Sequence, residues 1–168
     1  LPYQWPPFDK IHDEDFRPAF DVGMAEHRAA VQVIAHNPAP PTFDNTIVAL
    51  EKASPLLDRV ALVFFNLASA NTDPAMETLQ AELSPQLAAH RDAILLDAAL
   101  FARVKAVYDQ RATLGLDAES LRLVERQYTN FVRAGAELSD ADKTRLKALN
   151  EQISSLENQF RENVLKAT

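Results

Sequence analysis

The stretch SDADKTRLKALNEQISSLENQFRENVLKAT, Ser139 to Thr168, decides the fold class. Leu146, Leu149, Ile153, Leu156, Phe160 and Val164 recur at steps of three and four with charged and polar residues between them, the period of an amphipathic helix. Ser139-Asp140-Ala141-Asp142 opens it as a capping-box-like pattern with Asp in the place of the usual Glu. The same spacing suits a seam inside the chain's own helical bundle or one half of a coiled coil with a partner chain. Because the preceding helices also carry apolar faces to bury, the seam within the bundle is the expected arrangement. No Gly or Pro follows Leu165, and the chain opens at Leu1 rather than Met. The expectation is therefore a piece of something longer.

Working upstream, five more helices are read. Asp117 with Ser120 opens one that carries Leu121, Val124, Tyr128 and Phe131 and ends near Gly135. Before it, residues 98–113 present Leu100/Phe101, Val104 and Val107/Tyr108 and are closed by Gly115. Thr72-Asp73-Pro74 caps a helix through Met76, Leu79, Leu83, Leu87, His90 and Ile94, with a kink or break expected at Pro85. A helix from Thr42 or Asp44 to about Ala70 carries Ile47, Leu50, Leu57, Val60, Phe64 and Leu67, with a kink expected at Pro55. The first, capped by Asp13, carries Phe16, Phe20, Met24, His27, Val31 and Ile34 to about His36, where Asn37-Pro38-Ala39-Pro40-Pro41 stops it. Pro18 is tolerated there if it lies in the first turn. Residues 1–12, rich in Pro and aromatics, read as an extended lead-in whose Tyr3, Trp5 and Phe8 pack onto the body or onto further sequence. The fold class is all-α, about six antiparallel helices over residues 13–168.

Composition agrees. With 3 Gly and 47% hydrophobic residues in 168, the chain is a mostly helical globular domain long enough to bury a core. A net charge of −7 disfavours nucleic acid and anionic membranes, which reward basic patches. There is no Cys, which excludes disulfides and thiolate metal sites. No apolar run approaches the roughly 20 residues of a membrane span. The cytoplasm is the expected compartment, with the periplasm left open.

No complete catalytic constellation is found. The four His are His12, His27, His36 and His90, and none has a partner at i+3 or i+4 as H-E-x-x-H zinc chemistry requires. His27 and His90 lie on apolar stripes of separate helices, compatible with an interhelical metal pair or, more commonly, with half-buried histidines bonded to a neighbour. His36 suits a helix C-terminus. Asp13-Glu14-Asp15 and Asp140/Asp142 sit at helix starts, where capping explains them better than acid–base pairing. Pro38 to Pro41 satisfies P-x-x-P, yet it falls where one helix must end and reads as a rigid connector. Glu157 and Arg161 form an i, i+4 pair on the outer face of the last helix. No catalytic, cofactor-binding or metal-ligating residue is assigned.

Several stretches, in order along nearly the whole chain, resemble the N-terminal region of bacterial dipeptidyl carboxypeptidases, within the thimet oligopeptidase family of zinc metallopeptidases. They are Pro7-Phe8-Asp9-Lys10-Ile11, Arg17-Pro18-Ala19-Phe20-Asp21, Phe43 to Glu51, Val63-Phe64-Phe65, Leu100 to Val104, Leu114 to Ser120, Phe131 to Ala136 and Lys147-Ala148-Leu149-Asn150. The strength of the match lies in collinearity, since no single stretch is a chemical motif.

The resemblance implies a longer, mostly helical parent with a deep channel between two halves and zinc at H-E-x-x-H in the C-terminal half. There the metal activates water and the motif's Glu acts as base. It implies short unstructured peptides as substrates, release of C-terminal dipeptides, and the C-terminal catalytic half of the same chain as partner. None of the zinc motif, the downstream Glu ligand or the transition-state-stabilising residues has a counterpart here. The 168 residues are thus expected to bind no zinc, to be inactive alone, and to serve as a channel wall limiting substrate size. An endopeptidase of the oligopeptidase A type is the nearest alternative, and a stand-alone helical interaction module is the alternative from another class.

Overall fold

The computed structural model describes residues 5–70 and 72–167. Among them there is no strand, and six long helices form the body: α1 (Asp13–Ala35), α2 (Pro55–Ala70), α3 (Pro74–Leu95), α4 (Ala98–Gln110), α5 (Ala118–Arg133) and α6 (Asp140–Ala167). A π-helical turn, Phe43–Val48, runs into the single α-turn Ala49–Glu51 between α1 and α2.

Local chemistry sets the boundaries. Asp73, Asp97 and Asp117 each accept a backbone N–H in the first turn of α3, α4 and α5, at 2.7–2.9 Å. His12, rather than Asp13, is the N-cap of α1, and its N–H donates to the Asp15 carboxylate at 2.9 Å. Pro18 lies one turn deeper than expected, and α1 continues through it. The expected kink at Pro55 is a full break: residues 52–54 leave the helix and Pro55 opens α2, because a ring lacking N–H fits a first turn better than an interior. By contrast α3 runs unbroken through Pro85. Gly135, at φ 95°, closes α5: its N–H donates to Val132 O and that of Ala136 to Phe131 O, both at 3.0 Å.

The helices pair antiparallel. Gly23 faces Leu57 while Phe16 meets Phe64 (ring centroids 5.1 Å), so α1 runs against α2. Phe101 stacks near Phe131, Tyr108 lies on Tyr128 with centroids 3.9 Å apart, and Arg111 faces Glu125, so α4 runs against α5. Asp92 meets Asn150 while Glu77 and Gln80 face Asn158 and Arg161, so α3 runs against α6. Two apolar clusters result. One joins Phe16, Phe20, Met24, Leu57, Phe64, Met76 and Leu83. The other joins Val31, Ile34, Ile47, Ile94, Leu100, Val104, Val107, Val124 and Phe131. Neither includes a residue of α6 among those described.

The turn region is held by Arg103 of α4, which is 7% exposed. Its Nη1 donates to Asn37 O (2.8 Å) and Ala39 O (3.0 Å), and its Nη2 to Asn45 Oδ1 (3.0 Å) and Thr46 Oγ1 (3.4 Å). Asn45 in turn bonds Thr42 N and Pro40 O. The Pro38–Pro41 segment is thus a connector, as expected, pinned by one guanidinium. Of the two placements expected for the lead-in, packing onto the body is not seen: Trp5 is 68% and Phe8 50% exposed, Phe8–Lys10 forms a 3-10 turn rather than extended chain, and Tyr3 lies outside the described residues.

Two stability outcomes follow from this packing. Arg103→Ala should cost about 2–4 kcal/mol in urea unfolding, and Arg103→Lys nearly as much, since an ammonium cannot span acceptors on two turns. A Cβ at Gly23 would stand 3.0 Å from Leu57 Cα, so Gly23→Ala should lose about 1–2 kcal/mol net, although Ala gains about 1 kcal/mol in helix propensity.

Candidate functional site

Two regions combine unusual geometry with access to solvent. The first is the outward face of α6. Ser139 starts this helix, its Oγ accepting from Asp142 N (3.2 Å) and donating to the Asp142 carboxylate (2.7 Å). The side turned toward α3 is polar: Asn150 Nδ2 donates to both oxygens of the buried Asp92 at 3.0 and 2.9 Å, and Asn158 is buried further along. The apolar stripe points elsewhere. Leu149 is 45%, Ile153 50%, Leu156 62%, Phe160 69% and Val164 47% exposed. The expectation that the bundle's own helices bury this stripe holds only for Leu146, half-buried beside Gly135 and Leu138, and is wrong from Leu149 onward. The physical reason is a conflict of faces: positions 150, 154 and 158 lie about 120° around the helix from the stripe, and only one face can meet α3.

Burying side chains of this size is worth about 1.5–3 kcal/mol each when complete, so five half-exposed ones forgo roughly 4–7 kcal/mol, comparable with the net stability of a whole domain. Beside the stripe runs a groove of about 770 Å³ between α6, the end of α2 and the start of α3, lined by Phe65, Ala68, Thr72, Gln80, Phe160 and Val164.

The second region is a cleft of about 460 Å³ among α1, α2, α3 and α5, lined by His27, Leu57, Asp58, Leu87, His90, Arg91 and Phe131. His27 Nδ1 and His90 Nε2 lie 3.0 Å apart. The neighbour that the sequence left unnamed for each histidine is the other. On both helices the pair falls between the residues of the two apolar clusters. His90 Nδ1 is buried with no hydrogen-bond partner among the described residues. A bare lone pair there costs less than an orphaned N–H, which puts the His90 proton on Nε2, donating to His27. Burial, then the neighbouring His27 and Arg28, push the His90 pKa down to about 4. Burial also lowers that of His27, partly offset by Asp58.

That arrangement bears on the metal reading. Binding a cation between the rings would need lone pairs on both facing nitrogens and would move the His90 proton to the partnerless Nδ1. Among the described residues, no three His, Cys, Asp or Glu come together as ligands. The residues present do not fit a zinc centre. His36 sits at the C-cap of α1 with Nδ1 3.1 Å from Gln32 O, as its position suggested. Asp140 and Asp142 lie in the first turn of α6 and Asp15 caps α1, but Asp13 also faces Asp73 across the α1 and α3 starts; burial and then that second carboxylate raise its pKa. No helix among the described residues is long and apolar enough to cross a membrane.

Arg103 and the Asn150/Asn158 face escaped the sequence reading. Their signals were present: an arginine on the stripe of Leu100, Val104 and Val107, and small uncharged polar residues at steps of four. Both patterns ordinarily mark a solvated surface.

No family model matches the chain. It is 48% identical to a dipeptidyl carboxypeptidase of Salmonella typhimurium over 168 residues, all of this chain and 25% of that protein. With a dipeptidyl carboxypeptidase of Escherichia coli it shares 47% over 167 residues, 99% of this chain and 24% of that one. Oligopeptidase A of Salmonella typhimurium is 25% identical over 166 residues, again 99% and 24%. The chain spans about a quarter of the length of these curated relatives.

The histidine pair should make stability depend on pH. Both folded-state pKa values lie below the ordinary 6.5, so the unfolded chain binds protons that the folded one refuses. Stability should be full above pH 6.5 and fall as the pH drops toward 4, by about 2–3 kcal/mol, and His90→Gln should flatten that slope in urea unfolding series.

Proposed function

Along its whole length this chain is homologous to one quarter of a dipeptidyl carboxypeptidase, and on that footing we propose that it is the N-terminal helical part of a zinc-dependent peptidyl-dipeptidase. The observation that carries the reading is 48% identity sustained over all 168 residues. At 25%, the likeness to oligopeptidase A supports the same family but weighs less for an endopeptidase. Short, unstructured peptides with a free C-terminus are the substrates, and dipeptides the products. On this reading the catalytic zinc and its ligands belong to sequence outside these residues; among the described residues no three His, Cys, Asp or Glu come together.

The role of residues 13–168 is mechanical. Helices pinned to one another by buried aromatic and aliphatic clusters present a stiff surface, and a stiff surface can exclude a folded substrate by sterics where a loop would yield. They line one side of the substrate channel, and the chain alone has no hydrolytic activity.

The test is a product analysis. The polypeptide that carries this chain together with the rest of its reading frame should release successive dipeptides from a free C-terminus, read by mass spectrometry. Amidated peptides should resist, a chelator should stop the reaction, and residues 1–168 alone should release nothing. Internal cleavage products would instead select the oligopeptidase A type, and no cleavage at all would favour an interaction module.

A further inference from the structure

We propose that the exposed stripe of α6 is the seam onto which a helix from the remainder of the same polypeptide packs. The inference rests on the chain being part of a longer protein, and not on that protein's activity. Four observations lead to it. First, Leu149, Ile153, Leu156, Phe160 and Val164 follow each other at steps of four, three, four and four, the spacing at which one helix receives the side chains of another. Second, α6 is already fastened to α3 through Asn150 and Asp92 on a different face, so the stripe is not needed for holding this bundle together. Third, one flank of the stripe is Gln152, Gln159 and Asn163, all exposed and uncharged. The other flank carries Glu157 and Arg161, so charge borders the stripe on one side only, whereas helices that select one another through charge carry it on both.

The fourth observation chooses the occupant. About three quarters of each relative's length has no counterpart in these 168 residues, so a partner within the same polypeptide has ample sequence to come from. The groove next to the stripe fits such a partner. Phe65 and Ala68 of α2 continue the apolar surface past Phe160, and the buried Thr72 Oγ1 has no hydrogen-bond partner there among the described residues. An incoming helix would bury the exposed Phe160 ring.

These 168 residues hold no Cys, so a cysteine introduced here is the only one in its stretch, and peptide mapping separates it from any elsewhere in the polypeptide. In the full polypeptide, Ile153→Cys and Phe160→Cys are compared with Glu151→Cys, an exposed site on the opposite side of the same helix. Maleimide labelling is mapped by mass spectrometry, and circular dichroism checks that α6 is intact. The two stripe sites should label roughly 100-fold more slowly than the control, at every protein concentration. Where Phe160→Cys destabilises the protein, Leu149→Cys reads the same face. Labelling as fast as the control overturns the proposal. So does protection that disappears on dilution, which would assign the stripe to a second copy. A protected stripe in a polypeptide that releases no dipeptides would keep the seam and remove the peptidase reading; dipeptide release with a freely labelled stripe would do the reverse.

Discussion

Arg103 is the contact on which the arrangement of the chain depends, because it converts a proline-rich stretch with little hydrogen bonding of its own into a fixed corner. Taking a guanidinium out of water costs several kcal/mol unless its N–H groups are met. Here Nη1 and Nη2 are met by four oxygens, all neutral, from Asn37, Ala39, Asn45 and Thr46, while Nε has no partner among the described residues. The same oxygen of Asn45 also accepts from Thr42 N and Thr46 Oγ1, so the cation orders a turn that is itself a cap. Once the end of α1, the π-helical turn and α4 share this corner, α5 follows α4 through the stack of Phe101, Tyr128 and Tyr108.

Around that corner the molecule is built from pairs that differ in chemistry. The pairs α1/α2 and α4/α5 are joined by aromatic contacts and aliphatic clusters, where shape is the main constraint. The pair α3/α6 is joined at Asp92 by a side-chain amide. A buried carboxylate accepts only a donor that reaches it, so Asn150 opposite Asp92 sets the register as a row of leucines would not. One consequence is that α6 spends its polar face inward and leaves its apolar face available. The histidine pair performs a similar office between α1 and α3, its two rings bonded to each other at the boundary between the apolar clusters.

How much of the candidate site was legible before the fold was known depends on the residue. His27 and His90 were recognised as lying on buried stripes, but their meeting could not be read, since they are separated by 63 positions and lie on helices not adjacent in sequence. The α6 stripe was recognised in full and assigned to the wrong environment. Periodicity reports that a face is apolar and says nothing about what covers it; the competing polar face at Asn150 and Asn158 looked like solvated surface until Asp92 was placed against it. Arg103 was passed over for the same reason, since a cation's burial depends on acceptors some 60 residues away.

What the amino-acid order determined by itself is everything governed by neighbours a few residues apart. The six helices, the Asp caps at 73, 97 and 117, the stop at Asn37-Pro38, and the closure at Gly135 depend on backbone conformation and first-turn hydrogen bonds, which act within about one turn. Homology along the whole chain was legible for the related reason that identity accumulates position by position. Only the tertiary structure decided which faces meet. Whether a helix turns its apolar stripe or its amide-bearing face toward its neighbour is a competition between dispersed hydrophobic burial and a few directional bonds. In α6 the bonds to Asp92 took the inward face.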